Sequence, residues 1–287
     1  MTGSALALIL AAAFIHASWN YLLKRSGGGN AFVWLFAALS AVLYAPLAFA
    51  VVWWTRPPLG WTALTLMLAS AILHTAYYML LDRGYRSGGD LSLVYPLARS
   101  SGPLITVVVA VLLLGENPSG VALAGAALIA CGAVLLTGNL ARLRERGSLL
   151  AVIYALLTGC TIASYTVVDK LAVAAFAVPP ILQDWAANLG RVVLMTPLAL
   201  RAPDEIAATW RRARKEIIAV AILCPLSYIL VLTAMVFTPV SYVAPAREVS
   251  ILIAAVMGAQ LLKEGETGRR MLAATAMVAG IVCLAVG

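Results

Sequence analysis

The sequence predicts an all-α integral membrane protein of ten transmembrane helices, arranged as two inverted five-helix repeats. Three observations predict it: the composition, the length and spacing of the apolar runs, and a self-similarity about half a chain apart. Hydrophobic residues make up 63% of the 287 and charged residues 11%, with a mean hydropathy of +0.96. A soluble domain is closer to half apolar and a quarter charged. A chain this apolar cannot cover its surface with polar groups in water, whereas lipid removes the need.

A helix crossing a bilayer takes roughly 20 apolar residues. Ten such runs are separated by short polar or Gly/Pro-marked turns, at approximately 5–23, 31–54, 61–81, 91–114, 119–138, 148–169, 180–200, 216–237, 240–262 and 270–287. Strands of a membrane barrel are only ~9–11 residues long and alternate in polarity. The first run has no basic residue before it and no small-residue cleavage site, so it reads as a retained helix.

The second half repeats the first. Residues 98–136, shifted by 148 positions, fall without gaps on 246–284. Ala98-Arg99 meets Ala246-Arg247, Leu104-Ile105 meets Leu252-Ile253, and Glu116 meets Glu264. Gly120, Ala126, Gly132 and Val134 meet Gly268, Ala274, Gly280 and Val282. A shift of 146 brings Ala17-Ser18 onto Ala163-Ser164 and Lys24 onto Lys170. Leu and Ala matches arise by chance among apolar helices; Arg, Glu and Gly matches in one ungapped register do not. The domains are thus 1–146 and 147–287. An odd number of spans per unit forces the second unit to be inverted, which is a mark of secondary carriers with a site near the midplane.

Leu113-Leu114-Gly115-Glu116, followed by Gly120 and Ala126 to Gly132, resembles the closing motif of an EamA-type repeat. Leu262-Lys263-Glu264 with Gly268 and Gly280 resembles its second copy. The doubled arrangement covers nearly the whole chain and is similar to that of the drug/metabolite transporter superfamily. The resemblance implies export or exchange of small metabolites, often amino acids or related compounds, and cytoplasmic termini.

Charge predicts the opposite orientation. Fifteen of the 20 lysines and arginines fall in the loops after runs 1, 3, 5, 7 and 9; Arg56 and Lys170 alone lie on the other side. The positive-inside rule puts the basic side in the cytoplasm and both termini outside. The net charge of +8 is read as topology, so no nucleic acid is expected. The location expected is the plasma membrane, the inner membrane of a bacterium.

Ionisable side chains inside a span cost ~2.5–3.5 kcal/mol each on insertion scales, so each is a candidate for function. Arg99 lies about 12 Å into the fourth run at 1.5 Å per residue and has no acid in its own span. Arg247 is its repeat equivalent, with Glu248 beside it. Arg191 shares a helical face with Asp184 and Asn188. The substrate-binding candidates are Arg99, Arg247, Tyr95, Tyr242, Asn20 and Tyr78. The coupling candidates are His16, His74, Glu248, Asp184 and Arg191, the histidines because their ordinary pKa suits proton relay. Trp19, Tyr77, Tyr78, Tyr95, Tyr165, Tyr228 and Tyr242 sit at or inside helix ends, where aromatic anchors gather. Pro96, Pro103, Pro239 and Pro245 interrupt the fourth and ninth runs and predict broken helices there.

The function expected is alternating-access transport of a small anionic or zwitterionic metabolite. The cavity would be lined by helices 1, 3, 4, 6, 8 and 9. Arginine would read a carboxylate, phosphonate or phosphate, and Glu248 could take an ammonium. A membrane-embedded enzyme would need a catalytic set, yet the sequence holds no HExxH, GxSxG or paired Asp or Cys motif. A channel would favour polar rings and oligomeric symmetry. No cofactor is expected, as no GxxxxGK[ST] loop is present, and no metal, as Cys131, Cys160, Cys224 and Cys283 form no CxxC pair. The expected partners are a small-molecule substrate, protons, the lipid bilayer and a second copy in a homodimer. A reporter active only in the cytoplasm, fused to Gly287, should stay inactive; strong activity there would reverse the orientation.

Overall fold

The computed structural model describes residues 1–86, 91–137, 148–254 and 267–287. At 85–86, 91–96, 136, 137, 148, 267 and 270 it describes the backbone alone. The described residues form helices and connecting turns, with no strand. In a medium without water each backbone N–H must find its acceptor within the segment, and a helix satisfies that locally. The helices are α1 (Gly3–Arg25), α2 (Asn30–Thr55), α3 (Trp61–Arg86), α4 (Leu91–Leu113), α5 (Gly120–Thr137), α6 (Ser148–Lys170), α7 (Pro180–Ala199), α8 (Pro203–Phe237), α9 (Val240–Ala246) and α10 (Thr267–Val286).

Five of the spans meet both length and apolarity for crossing a bilayer: Gly3–Arg25, Asn30–Thr55, Trp61–Gly84, Leu149–Ala175 and Pro203–Phe237. Leu97–Leu113, Gly120–Leu135 and Met271–Val286 are apolar but shorter within the described residues. Two elements differ in extent from the sequence expectation, and of the breaks expected at prolines the ninth run shows one while the fourth does not, α4 running unbroken from Leu91 to Leu113 past Pro96 and Pro103. The sixth run does not stop at 169: a π-helical turn, Leu171–Ala175, carries it on. α8 starts well before 216, because its charged first stretch is joined to the apolar stretch at Ala213, whose φ of −130° and ψ of 25° leave the helical region. The ninth run is not one continuous helix. α9 ends at Ala246, Arg247 and Glu248 form a turn, and helical backbone resumes over 249–254. Pro245, lacking an N–H, sits at the break.

Several helix pairings survive exchange of the two halves. α1 packs on α8 as α6 packs on α3, and α2 packs on α8 as α7 packs on α3. α2 packs on α7, and α5 on α10. The α5–α10 crossing has no room for side chains. A Cβ on Gly280 would lie 2.7 Å from the Gly125 carbonyl oxygen, and one on Gly132 would lie 2.8 Å from that of Ala273. Position 132 corresponds to 280 and 125 to 273, so the two contacts exchange under the 148-residue shift. Small residues at such crossings let backbones approach closely.

The outer surface is apolar, with Phe14, Val42, Phe49 and Leu112 exposed. Trp54 and Trp61 are 89% and 85% exposed and flank Arg56, whose guanidinium lies 5.6 Å from the Trp53 ring centre. Aromatic rings around an arginine at a helix end mark a membrane–water boundary. Trp19, by contrast, is buried and donates to the Ser227 hydroxyl at 3.2 Å.

The chain ends meet at one end of the bundle, where the Met1 ammonium donates to the Ala285 carbonyl at 3.3 Å. Here the LLGE motif finds its physical meaning. Gly115, at φ 66°, lets α4 close with Glu116 N–H on the Ala110 carbonyl. Glu116 then points its carboxylate at the start of α9, accepting from the N–H of Val240 at 2.8 Å and of Ser241 at 2.9 Å. Lys170 Nζ donates to the carbonyls of Met235 and Thr238 at the end of α8. An anion caps a helix start and a cation caps a helix end, each matching the helix dipole. Gly280→Leu should therefore force the α5–α10 crossing apart, at a cost of ~1–3 kcal/mol for overpacking, read as a lower unfolding temperature in detergent. Wild-type stability in that variant would contradict the crossing.

Candidate functional site

Four elements converge on a narrow cleft. It is lined by Ala12, Ala13 and His16 of α1, Arg99 of α4, Ser227, Tyr228 and Val231 of α8, and Arg247. The alanines of α1 leave the space, and the break after α9 supplies the charge. Because the helix stops at Ala246, Arg247 and Glu248 lie on a turn with their side chains directed apart.

Glu248 turns to Arg99. Its carboxylate lies 3.0 Å from Arg99 Nε, with both side chains nearly sealed from solvent. Arg99 Nη2 also donates to Ser250 at 3.2 Å. The acid that Arg99 lacks in its own helix thus comes from across the repeat interface. Arg247 is half-buried, and its guanidinium lies over the Tyr228 ring at 5.2 Å. Among the described residues no carboxylate pairs with it, and it lines the cleft.

The remaining sequence candidates fall into separate groups. His16 lines the cleft with its ring edge against Trp19, 4.7 Å between centres. Asn20 turns back onto its own helix and donates to the His16 carbonyl at 2.9 Å. Tyr242 lies at the terminal end of the bundle, donating to the Gly287 carbonyl at 3.2 Å. The side chain of Tyr95 lies outside the described residues.

Tyr78 belongs to a second buried group with Arg191, whose guanidinium is 4.8 Å from its ring centre and 6.0 Å from that of Phe36. On the same face of α7, Arg191 donates to Asn188 Oδ1 at 2.8 Å, and Asn188 Nδ2 donates to Asp184 at 3.0 Å. This ladder joins Asp184, Asn188 and Arg191 as their spacing predicted.

A third group was not anticipated. Asp169 is fully buried and gathers His74 from α3, Gln183 from α7 and Tyr228 from α8. The expected end of the sixth span at 169 had put this carboxylate at a surface. The apolar stretch from Leu171 to Val178 is the signal that the segment continues past it.

The EamA-like transporter family model matches residues 3–138 and again 149–286. No curated protein matches the chain. Among 29 matching chains of solved structures, one titled "Crystal structure of protein" is similar at a TM-score of 0.77 and 14% identity, covering 100% of this chain and 99% of that one. At that identity the likeness is one of fold.

The ladder on α7 generates a prediction of its own. Arg191→Ala should strand the buried Asp184 and destabilise the protein by ~3–5 kcal/mol. Asp184→Asn in the same chain should recover most of the loss, measured by thermal unfolding. No recovery would show that the two do not balance one another.

Proposed function

The chain belongs to the EamA-like transporter family, and on that premise we propose that it is a secondary active carrier of a small anionic or zwitterionic metabolite, working by alternating access. Membership makes it a multi-pass membrane transporter of the drug/metabolite transporter superfamily, a superfamily of transporters and not of enzymes. The finer reading rests on one observation above all. A half-buried arginine with no acidic partner among the described residues faces the cleft from a break in a helix, beside an arginine that already holds its acid.

Arg247 reads the anionic group of the substrate, a carboxylate, phosphonate or phosphate. A guanidinium presents a planar fork of donors that matches such oxygens in pairs. Arg99 lines the same cleft as the second cation. A zwitterion's ammonium would compete with Arg99 for Glu248. Broken helices at the midplane serve this purpose in carriers, because their free backbone groups and turn residues hold polar substrate atoms.

Ten spans in two inverted halves follow from the same reading. The exchange-symmetric packing and the matched glycine contacts between α5 and α10 support a twofold relation. The meeting of both termini at one end supports an even number of spans. Arg212, in the charged first stretch of α8, lies beside Gly27 of the α1–α2 connection. This supports a single positive face, turned toward the cytoplasm of a plasma membrane.

The substrate is found by screening small carboxylates, phosphonates and amino acids for a rise in unfolding temperature, since a ligand of the folded state stabilises it. In proteoliposomes the hit should give saturable counterflow. Arg247→Ala should stay folded and lose at least about tenfold in uptake, the size of a lost charged hydrogen bond. Arg247→Lys should keep part of it. Ohmic current in place of counterflow, or full uptake by Arg247→Ala, would overturn the reading.

A further inference from the structure

The Asp169 group has no part in holding the substrate, yet one side chain joins it to the cleft. Tyr228 donates its hydroxyl to Asp169 Oδ2 while its ring lies beneath Arg247. The same Oδ2 lies 3.1 Å from His74 Nε2, and Gln183 Nε2 donates to Oδ1 at 2.8 Å. The His74 ring stacks on Tyr165, 4.0 Å between centres, and meets the edge of Tyr228 at 5.2 Å. The carboxylate sits one residue before the end of α6, where the π-helical turn begins. Such turns interrupt regular helices and are frequent at functional sites.

From these contacts and the charge balance, we propose that the His74–Asp169 pair is a proton-binding site linked to anion binding at Arg247, taking up one proton with each monoanionic substrate. The proposal rests on the anion-carrier reading and adds the coupling ion to it. The linkage has a mechanical part and an electrostatic part.

The mechanical part lies at Oδ2, which accepts from both Tyr228 and His74. A proton added to Oδ2 makes it a donor, so His74 must answer by changing tautomer and accepting that proton. The Tyr228 hydroxyl then donates to an uncharged oxygen, a weaker hydrogen bond than the one to a carboxylate. That loosens the ring on which Arg247 rests. A proton added to His74 instead leaves the hydrogen bonds in place and neutralises the pair. In either case the pair goes from one negative charge to none, and no bond between heavy atoms forms or breaks.

The electrostatic part is a sum over the charges around the cleft. Counting both histidines as neutral, Arg99, Arg191 and Arg247 face Asp169, Asp184 and Glu248 among the described residues. Asp184 and Arg191 face the pair from α7, Tyr165 from α6, Tyr228 from α8 and Arg247 from beyond α9. Lys170, next in sequence, turns away to the α8 carbonyls. Three positive and three negative charges cancel. A monoanion leaves one negative charge uncompensated in an apolar interior, which is costly. A proton on the pair restores neutrality, whereas a zwitterion needs none.

The experiment needs no substrate. Infrared difference spectra of the purified protein, taken between mildly alkaline and mildly acidic buffer, report protonated carboxyl groups. Labelling with ¹³C-aspartate separates aspartates from glutamates. A pH-dependent change in the labelled aspartate signal is expected in the wild type and in Asp184→Asn and is lost in Asp169→Asn: a protonated-carboxyl band where the proton sits on Oδ2, a shifted carboxylate band where it sits on His74. Arg247→Ala removes the cation as a bound anion would neutralise it. Its titration midpoint should move toward alkaline by about tenfold in proton affinity, while Arg247→Lys should keep the wild-type midpoint. Tyr228→Phe, which takes one donor from the carboxylate, should move it in the same direction as Arg247→Ala. A labelled change that survives Asp169→Asn, or a midpoint unmoved by both Arg247→Ala and Tyr228→Phe, would overturn the proposal. Either failure leaves the carrier reading to its own uptake assay, and a failed uptake assay leaves this titration standing.

Discussion

The contact between Arg99 and Glu248 is the constraint to which the rest of the structure answers. An ion in an apolar interior is tolerable only beside its opposite. Glu248 can reach Arg99 because the helix after Pro239 stops at Ala246 and turns. That turn breaks the ladder of backbone hydrogen bonds and sends two adjacent side chains in different directions. One is consumed by the pair. The other, Arg247, is left over the Tyr228 ring at the edge of the cleft. The pair also ties α4 of the first half to the broken helix of the second, so it fixes the halves where their residues correspond.

The frame around it is made of small residues and caps. Gly125, Gly132 and Gly280 let α5 and α10 approach to backbone contact, and lipid offers no hydrophobic drive to replace that fit. Glu116 holds the start of α9 and Lys170 the end of α8. The chain between them, Thr238-Pro239, is thereby clamped on both sides without an ion pair across it. The geometry around the cleft thus rests on two ordinary capping contacts, one made by Glu116 of the repeated motif and the other by Lys170, the repeat counterpart of Lys24.

The helical class and the two repeats were legible because charged and glycine positions recur at one spacing. The break near Pro245 and the Asp184–Asn188–Arg191 ladder were legible from local chemistry. Partners across helices were not. Nothing in the spacing said that Glu248 would turn to Arg99, that Tyr78 would pack on Arg191, or that Tyr242 would reach the chain end. Asp169 was hidden by a boundary. A charged pair, Asp169-Lys170, looks like the end of a span, and a π-helical turn that carries the segment onward has no simple sequence signature. Its partners come from positions 74, 183 and 228, far apart in the chain, and only the packing of α3, α6, α7 and α8 brings them together.

The central claim is that the Arg99–Glu248 pair is structural and sets Arg247 free to act, and a stability cycle measures it most directly. Unfolding temperatures are compared for the wild type, Arg99→Ala, Glu248→Gln and the double variant in the same detergent. The account predicts that Arg99→Ala strands a buried acid and costs ~3–5 kcal/mol, and that adding Glu248→Gln returns most of it. A double variant as unstable as the sum of the two single ones would contradict the pair, and with it the reason that Arg247 stands free.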